Sequence, residues 1–294
     1  MRRFRSLLFM PGNNPGMLAN SPFLGADMVI FDLEDAVAQA EKDAARSLVR
    51  HALGAVGFGS VGVVVRINGL DTPYWEKDMD AAVRGGADMV LVPKIDSPGM
   101  VAEACALMVA KEAEYGAEEG RTGMIALVES AVGIENAHAV ATAHTRLRGI
   151  LLGAEDLTVA LQAKRTPSGE EIRYARSRVL MACKAGGITA IDTPYPFVSD
   201  MEGLAADAAF AAQLGFDGKA VISPHHVHCV NEAFSPSPAQ VRWAERVLAV
   251  ARQAEKDGKG AVSLDGMMID LPVIKRAERI ALLAGIVAED SNAG

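Results

Sequence analysis

Short apolar runs, often rich in β-branched residues, recur along the chain, and most turn polar or charged only in their last few positions. They read SLLFMP (6–11), MVIFDLED (28–35), VGVVVRIN (61–68), DMVLVPK (88–94), GMIALVES (123–130), RGILLGAED (148–156), ITAIDTPY (188–195) and GKAVISP (218–224). Segments of helical length separate them, and this alternation predicts eight parallel βα units. Small-residue stretches such as LGAD (24–27), GGAD (85–88), AGG (185–187) and LGFDG (214–218) precede several runs, where glycine accepts the left-handed conformation that ends a helix.

The polar tails decide between two α/β architectures. Asp32, Glu34 and Asp35 close the second run, Arg66 and Asn68 the third, Lys94 the fourth, Glu129 the fifth, Glu155 and Asp156 the sixth, and Asp192 and Tyr195 the seventh. A closed barrel collects the C-terminal strand ends on one face, whereas an open doubly wound sheet concentrates its chemistry at one crevice. The spread over so many runs favours a (β/α)8 TIM barrel. After Pro224 the pattern changes: a helix is expected over 238–256, DGKG (257–260) breaks it, AVSLDGMMID (261–270) reads as an extended segment with a turn, and LPVIKRAERIALLAGIVA (271–288) as an amphipathic helix. The expected organisation is a catalytic barrel over 1–235 and a C-terminal helical extension over 236–294, the latter at a subunit interface of a homo-oligomer.

Composition narrows the class further. At 294 residues, with 50% hydrophobic, 22% charged and only 5% aromatic positions, the chain suits one large α/β domain. A formal charge of −8 argues against nucleic acid or an anionic membrane as partner. Cys105, Cys183 and Cys229 are scattered and suit a reducing compartment better than a disulfide framework or a zinc cluster. The basic-then-apolar start MRRFRSLLFMPG is too short for a secretion signal, and no stretch approaches the roughly 18–20 apolar residues of a membrane span. A cytoplasmic protein is expected.

Among candidate chemical groups, Glu129 and Asp156 stand out as hard oxygen donors at neighbouring run ends; two protein carboxylates leave open positions on Mg2+ for water and a bidentate oxo or hydroxy acid. Position alone also allows solvated carboxylates or helix caps. Arg66 suits carboxylate or enolate oxygens, or an ion pair with Asp32, Glu34 or Asp35, and the acidic trio would orient it. Lys94 reads as a structural ion pair or, less well, as a Schiff-base lysine. The histidines His225, His226 and His228 read as solvated or structural, and no nucleophile elbow, P-loop or dinucleotide fingerprint is present.

Nine segments in order carry a resemblance: RSLLFMPGNNP, DMVIFDLEDAV with KDAAR after it, VRING, MVLVPKI, ALVESAVGIENA, LLGAEDL, AIDTPY, LGFDGKAVISP and GMMIDLP. Together they resemble the citrate lyase β-subunit-like family of the HpcH/HpaI aldolase superfamily. The resemblance implies a (β/α)8 barrel, Mg2+ as cofactor, and carbon–carbon bond cleavage or formation in acyl thioesters. Carried over by position, it implies Glu129 and Asp156 as Mg2+ ligands that also meet substrate, Arg66 as a substrate-binding and catalytic group, and Asp270 as an acid reaching the barrel mouth from a neighbouring subunit; by its sequence alone Asp270 reads as a helix N-cap. Asp35 completes the expected catalytic set. After Pro-Gly-Asn the family commonly places basic residues where this chain has Asn14, Gly16, Met17, Leu18, Ala19 and Asn20. That leaves Arg5, with Arg3 and Arg46, as candidate partners for the phosphates of coenzyme A, Arg5 being taken as a substrate contact too. Ser223 stands where the family has a histidine.

The expected activity is cleavage of a malyl-CoA or citramalyl-CoA type 3-hydroxyacyl thioester to an acyl thioester and a 2-oxo acid, by a trimer or hexamer. The alternatives are a citrate lyase β subunit acting on a carrier-bound citryl thioester within a multiprotein complex, and a catalytically silent ligand-binding barrel.

Overall fold

The eight runs become the strands β1 (Ser6–Pro11), β2 (Met28–Asp32), β3 (Gly62–Arg66), β4 (Met89–Val92), β5 (Gly123–Val128), β6 (Leu147–Leu152), β7 (Thr189–Asp192) and β8 (Gly218–Val221) of a computed structural model that describes residues 3–256 and 262–286. All pair in parallel with their sequence neighbours, and β8 pairs with β1, so the sheet closes into a barrel with helices between the strands. The chain forms two compact units, Met1–Phe234 and Ser235–Gly294.

Period-two alternation sorts the side chains of each strand. Leu7, Met28, Ile30, Val64, Leu91, Ile125, Leu127, Leu151, Ile191 and Ala220 pack together inside the barrel. Their strand neighbours, such as Val29, Phe31, Val63, Val65 and Ala126, join the larger core shared with the helices. The same alternation carries Asp32 at the end of β2 and Arg66 at the end of β3 onto the inner row, and these two are register partners. The strands stop earlier than the polar tails suggested: Glu34, Asp35, Lys94 and Glu129 follow strand ends in loops, and Asp156 lies in the first turn of the helix Ala154–Ala160.

Not every polar strand residue serves the mouth. Asp192 and Lys219 fall on the outward row and are buried among the helices, where Arg176 donates to both Asp192 oxygens at 2.9 Å. Lys219 Nζ lies 2.6 Å from Asp192 Oδ2 and 2.6 Å from Asp207 Oδ2, and Arg176 reaches Asp207 at 2.6 Å. Burial alone would raise the Asp192 pKa, but Lys219 and Arg176 outweigh it and hold the carboxyl below its ordinary range. This contribution is therefore present at neutral pH and is lost as pH falls below the unfolded-state value of 3.8. Asp192→Asn leaves two buried cations short of a counter-charge and is expected to cost about 3–5 kcal/mol. Urea denaturation at pH 7 measures it; a change below about 1 kcal/mol, the scale of an exposed pair, would show that the quartet contributes little.

The second unit consists of the helix Pro238–Lys256, an antiparallel hairpin of β9 (Val262–Leu264) and β10 (Met267–Ile269), and the helix Leu271–Ala284. Asp265 and Gly266 take positive φ values of 50° and 78° in the hairpin turn, the signature of a two-residue primed turn. Ala244, Val247, Ile269 and Ala277 form its core. The last helix ends at Gly285 in the left-handed conformation, short of the expected 288; the DGKG break and residues 287–288 lie outside the described residues.

Candidate active site at the barrel mouth

Arg66 organises the mouth. Its Nε donates to Asp32 Oδ1 at 2.7 Å and Nη2 to Asp32 Oδ2 at 2.5 Å, a bidentate pair that follows from the β2–β3 register. Nη1 lies 2.9 Å from Glu34 Oε2 and 3.4 Å from Asp35 Oδ2, and the guanidinium stands 5.1 Å over the Phe9 ring. With a side chain only 11% exposed and acids on three of its nitrogens, Arg66 is fixed in one orientation.

The loop after β2 is equally held. Lys42, at the start of the following helix, donates to the Leu33 and Glu34 carbonyls at 2.8 and 2.6 Å, and Asn68 donates to the Leu33 carbonyl at 2.9 Å. Asp32 accepts from the Glu34 and Ala36 amides. These contacts turn Glu34 inward and Asp35 outward: the Glu34 side chain is 7% exposed and that of Asp35 69%. Asp35, expected as a catalytic residue, is thus brought to Arg66 but as its outermost partner, and Glu34 is the buried one of the two. Glu34 meets ion pairs rather than directed hydrogen bonds, with Lys94 Nζ 3.3 Å from Oε1.

Glu129 sits one residue past β5, buried, with Oε1 accepting the Lys94 amide at 2.9 Å. Burial, then the charges of Glu34 and Asp156, push its carboxyl up to about 8. Gly153 lets β6 close on it: a Cβ there would stand 2.6 Å from Glu129 Cβ and 2.7 Å from Oε2. The exposed Asp156 follows on the adjacent helix, whose first amide, Ala154, donates to the Thr193 hydroxyl at 3.2 Å. Arg165 steadies the same helix, reaching Glu155 at 2.9 Å and Glu171 at 2.6 Å.

One expected contact, that of Arg5 with substrate, is corrected. Arg5 precedes β1 and its side chain is paired with Asp27, just ahead of β2, at 2.7 Å. It lies at the foot of the barrel, where the parallel strands begin, so a substrate held at the mouth does not meet it. Arg46 donates through Nε to Asp78 at 2.6 Å and through Nη1 to Asp43, which holds it in the helix layer. There it lines a surface cavity of about 480 Å3 with Arg50, Lys77 and Lys111. Asp270 belongs to the second unit, where its carboxylate accepts the Val273 amide at 3.2 Å as an exposed helix cap. Glu34, Lys42, Gly153 and Thr193 are the supports that sequence reasoning underweighted, and the glycine of LLGAED was the one available signal.

Five carboxylates therefore face three cations at the mouth among the described residues: Asp32, Glu34, Asp35, Glu129 and Asp156 against Arg66, Lys94 and Lys42. An acid whose charged form is opposed first by burial and then by its acidic neighbours is what a divalent cation would relieve, and oxygen-only donors suit Mg2+. Among the described residues no group of three or more His, Cys, Asp or Glu side chains is set to hold a metal alone, so such an ion would complete its shell with water and substrate oxygens.

A closed parallel barrel with an arginine and an excess of carboxylates at the C-terminal strand ends defines a barrel enzyme with a cation-suited centre. The family model HpcH/HpaI aldolase/citrate lyase matches residues 5–224. The chain belongs to this family, and with it to the carbon–carbon lyases. It is 43% identical to the citrate lyase subunit beta of Leuconostoc mesenteroides subsp. cremoris over 280 residues, covering 95% of this chain and 93% of that one. It is 35% identical to a (3S)-malyl-CoA thioesterase of Cereibacter sphaeroides over 286 residues, covering 97% and 96%. The structure of CitE from Mycobacterium tuberculosis with magnesium, acetoacetate and coenzyme A superposes with a TM-score of 0.80 at 34% identity, covering 97% of this chain and 100% of that one.

Proposed function

We propose that the protein is a Mg2+-dependent lyase that cleaves a 3-hydroxyacyl thioester of the malyl-CoA or citramalyl-CoA type into an acyl thioester and a 2-oxo acid. The observation that carries this reading is Glu129, buried beside Asp156 and Glu34 with its carboxyl pushed up to about 8. Glu129 and Asp156 would hold the ion. When bound, Mg2+ supplies Lewis-acid charge that polarises the hydroxyl and carboxylate oxygens of the oxo-acid half. Arg66, fixed by Asp32 and Glu34, offsets negative charge on oxygen as the carbon–carbon bond breaks. As the hydroxyl gives up its proton to a carboxylate of the mouth, the bonding electrons pass to the thioester half as its enolate, and Asp270, entering the step as the acid, delivers the proton that quenches the enolate carbon.

Asp270 acts in this proposal from a neighbouring copy. Exposed apolar residues surround it, Met267, Met268 and Leu271, which suits a surface covered in a homo-oligomer such as a trimer or hexamer. Among the described residues no helix is long and apolar enough to cross a membrane, which accords with the cytoplasmic placement we propose.

The identity of 43% to a citrate lyase β subunit against 35% to a malyl-CoA thioesterase favours a second reading. In it the substrate is a carrier-bound citryl thioester, the oxo acid is oxaloacetate, and the chain works with other citrate lyase subunits. A panel of malyl-CoA, citramalyl-CoA and citryl-carrier thioesters, each with and without Mg2+, separates the two by oxo-acid release. EDTA is expected to lower turnover at least about a hundredfold. Silence on both CoA esters with cleavage of the citryl-carrier ester would establish the subunit reading. Silence on all three, with oxo acid still bound, would leave a ligand-binding barrel.

A further inference from the structure

Asp78 lies in the first turn of the helix Trp75–Gly85, in the layer outside the barrel, and no step of the proposed reaction uses it. Yet it is wholly buried, at 0% exposure. A carboxylate withdrawn from water this completely has to be met by donors, and each of its oxygens is. Oδ1 accepts Arg46 Nε at 2.6 Å, while Oδ2 accepts both the Asn68 backbone amide at 3.0 Å and the Asn68 side-chain Nδ2 at 2.6 Å.

The two oxygens face different parts of the molecule. Oδ1 belongs to the helix layer, where the same Arg46 guanidinium also donates to Asp43. Oδ2 leads inward, because Asn68 follows the end of β3 by two residues and is itself only 4% exposed. An unrestrained asparagine has a broad, roughly two-fold terminal torsion. Two bonds to one oxygen, one from the backbone and one from the side chain, remove that freedom and leave the other Nδ2 hydrogen aimed at the Leu33 carbonyl. It is met there at 2.9 Å.

Leu33 opens the segment that brings Glu34 and Asp35 to Arg66. Its amide donates to the Arg66 carbonyl at 2.9 Å, and the Glu34 and Ala36 amides donate to the Asp32 carboxylate at 2.8 and 3.1 Å. Arg66 is thus held at its guanidinium by Asp32 and Glu34 and at its backbone by Leu33. We propose that Asp78 is a positioning residue for Arg66: through Asn68 it fixes the Leu33–Glu34 segment, and that segment sets where the guanidinium points. The catalytic consequence rests on the lyase reading above. The restraint itself is a property of the metal-free chain.

The test compares Asp78→Ala and Asp78→Asn with the wild type by hydrogen exchange of the metal-free protein and by turnover, in Mg2+, of whichever thioester of the panel is cleaved. One amide oxygen can accept both Asn68 donors as Oδ2 does, so Asp78→Asn keeps the inner contact and gives up the ion pair with Arg46, whereas Asp78→Ala loses both. Both variants are expected to melt below the wild type. Only Asp78→Ala is expected to accelerate exchange over residues 33–37, about tenfold, as the loss of one hydrogen bond from local stability does, with β5 to β8 unchanged. Its kcat is expected to fall about ten- to hundredfold with KM moved less than about threefold, the result of misplaced rather than missing groups, while Asp78→Asn stays within about threefold of the wild type in both. Asn68→Ala cuts the same link nearer the mouth and leaves the Arg46 pair in place; it is expected to reproduce both changes and carries the test if Asp78→Ala does not fold. Unchanged exchange over 33–37 in Asp78→Ala or Asn68→Ala overturns the proposal. Equal loss of kcat in Asp78→Asn and Asp78→Ala overturns it as well, because turnover would then follow the Arg46 ion pair. If the wild type cleaves none of the esters, the lyase reading fails, and exchange over 33–37 still upholds or overturns the restraint.

Discussion

Glu129→Gln is expected to lower Mg2+-dependent turnover on the order of a thousandfold while raising the thermal stability of the metal-free protein. Glutamine keeps the volume, and its side-chain carbonyl still accepts the Lys94 amide. What it removes is an ionisable carboxyl whose charged form is opposed by burial and by Glu34 and Asp156. The two effects therefore have opposite signs, a pattern that loss of packing does not produce. The pH dependence follows from the same carboxyl. Its folded-state pKa of about 8 lies above the ordinary value of 4.5, so the folded protein binds this proton more tightly than the unfolded chain does. The associated stability is complete below 4.5 and is lost as pH rises through about 8. Metal-free wild type should thus lose melting temperature across this window relative to Glu129→Gln, and saturating Mg2+ should recover it, because the cation replaces the proton. Melting curves at pH 5, 7 and 9, with and without Mg2+, measure both; parallel curves for the two proteins would remove Glu129 from the metal site.

Asp270→Asn is expected to lower turnover by about two to four orders of magnitude while leaving Mg2+ and oxo-acid binding nearly unchanged. Asparagine is as good an N-cap as aspartate, so the helix Leu271–Ala284 keeps its start and the fold is not the variable. Action between copies has its own signature. When Asp270→Asn and Glu129→Gln chains are expressed together, a barrel with an intact Glu129 receives an intact Asp270 from its neighbour, and activity returns. If Asp270 serves the barrel of its own chain, every site in the mixture carries a lesion and no activity returns. Full activity in the Asp270→Asn protein alone would take this residue out of the proton transfer.

Much of the barrel was legible because strand starts are written in apolar runs: β1, β2, β5 and β8 begin where the pattern breaks from polar to apolar. Strand ends were less so, since a polar residue after an apolar run marks a strand end, a loop or a helix turn alike. Asp156 reads as a strand terminus and lies in a helix. Asp192 and Lys219 show the same ambiguity in another form, because a polar strand residue faces mouth or helices according to its parity, and theirs is outward. Arg5 was misplaced for a reason that chain order alone contains: a residue ahead of a parallel strand belongs to the barrel foot. The family-like segments, by contrast, identify Glu129, Asp156 and Arg66 together, and the mouth is where all three are found.

The amino-acid sequence by itself determined the number and direction of the strands, the family, and the acidic character of the mouth, because hydrophobic periodicity and residue identity are local properties. The tertiary structure decided which acid faces which base. Register set Asp32 against Arg66, the Lys42 and Asn68 contacts turned Glu34 inward in place of Asp35, and the left-handed backbone of Lys94 aimed one amide at Glu129 and left one ammonium accessible. Pairing of this kind depends on distances between residues far apart in the chain, and the shift of Glu129 depends on how much water those neighbours exclude. Neither quantity exists until the barrel closes.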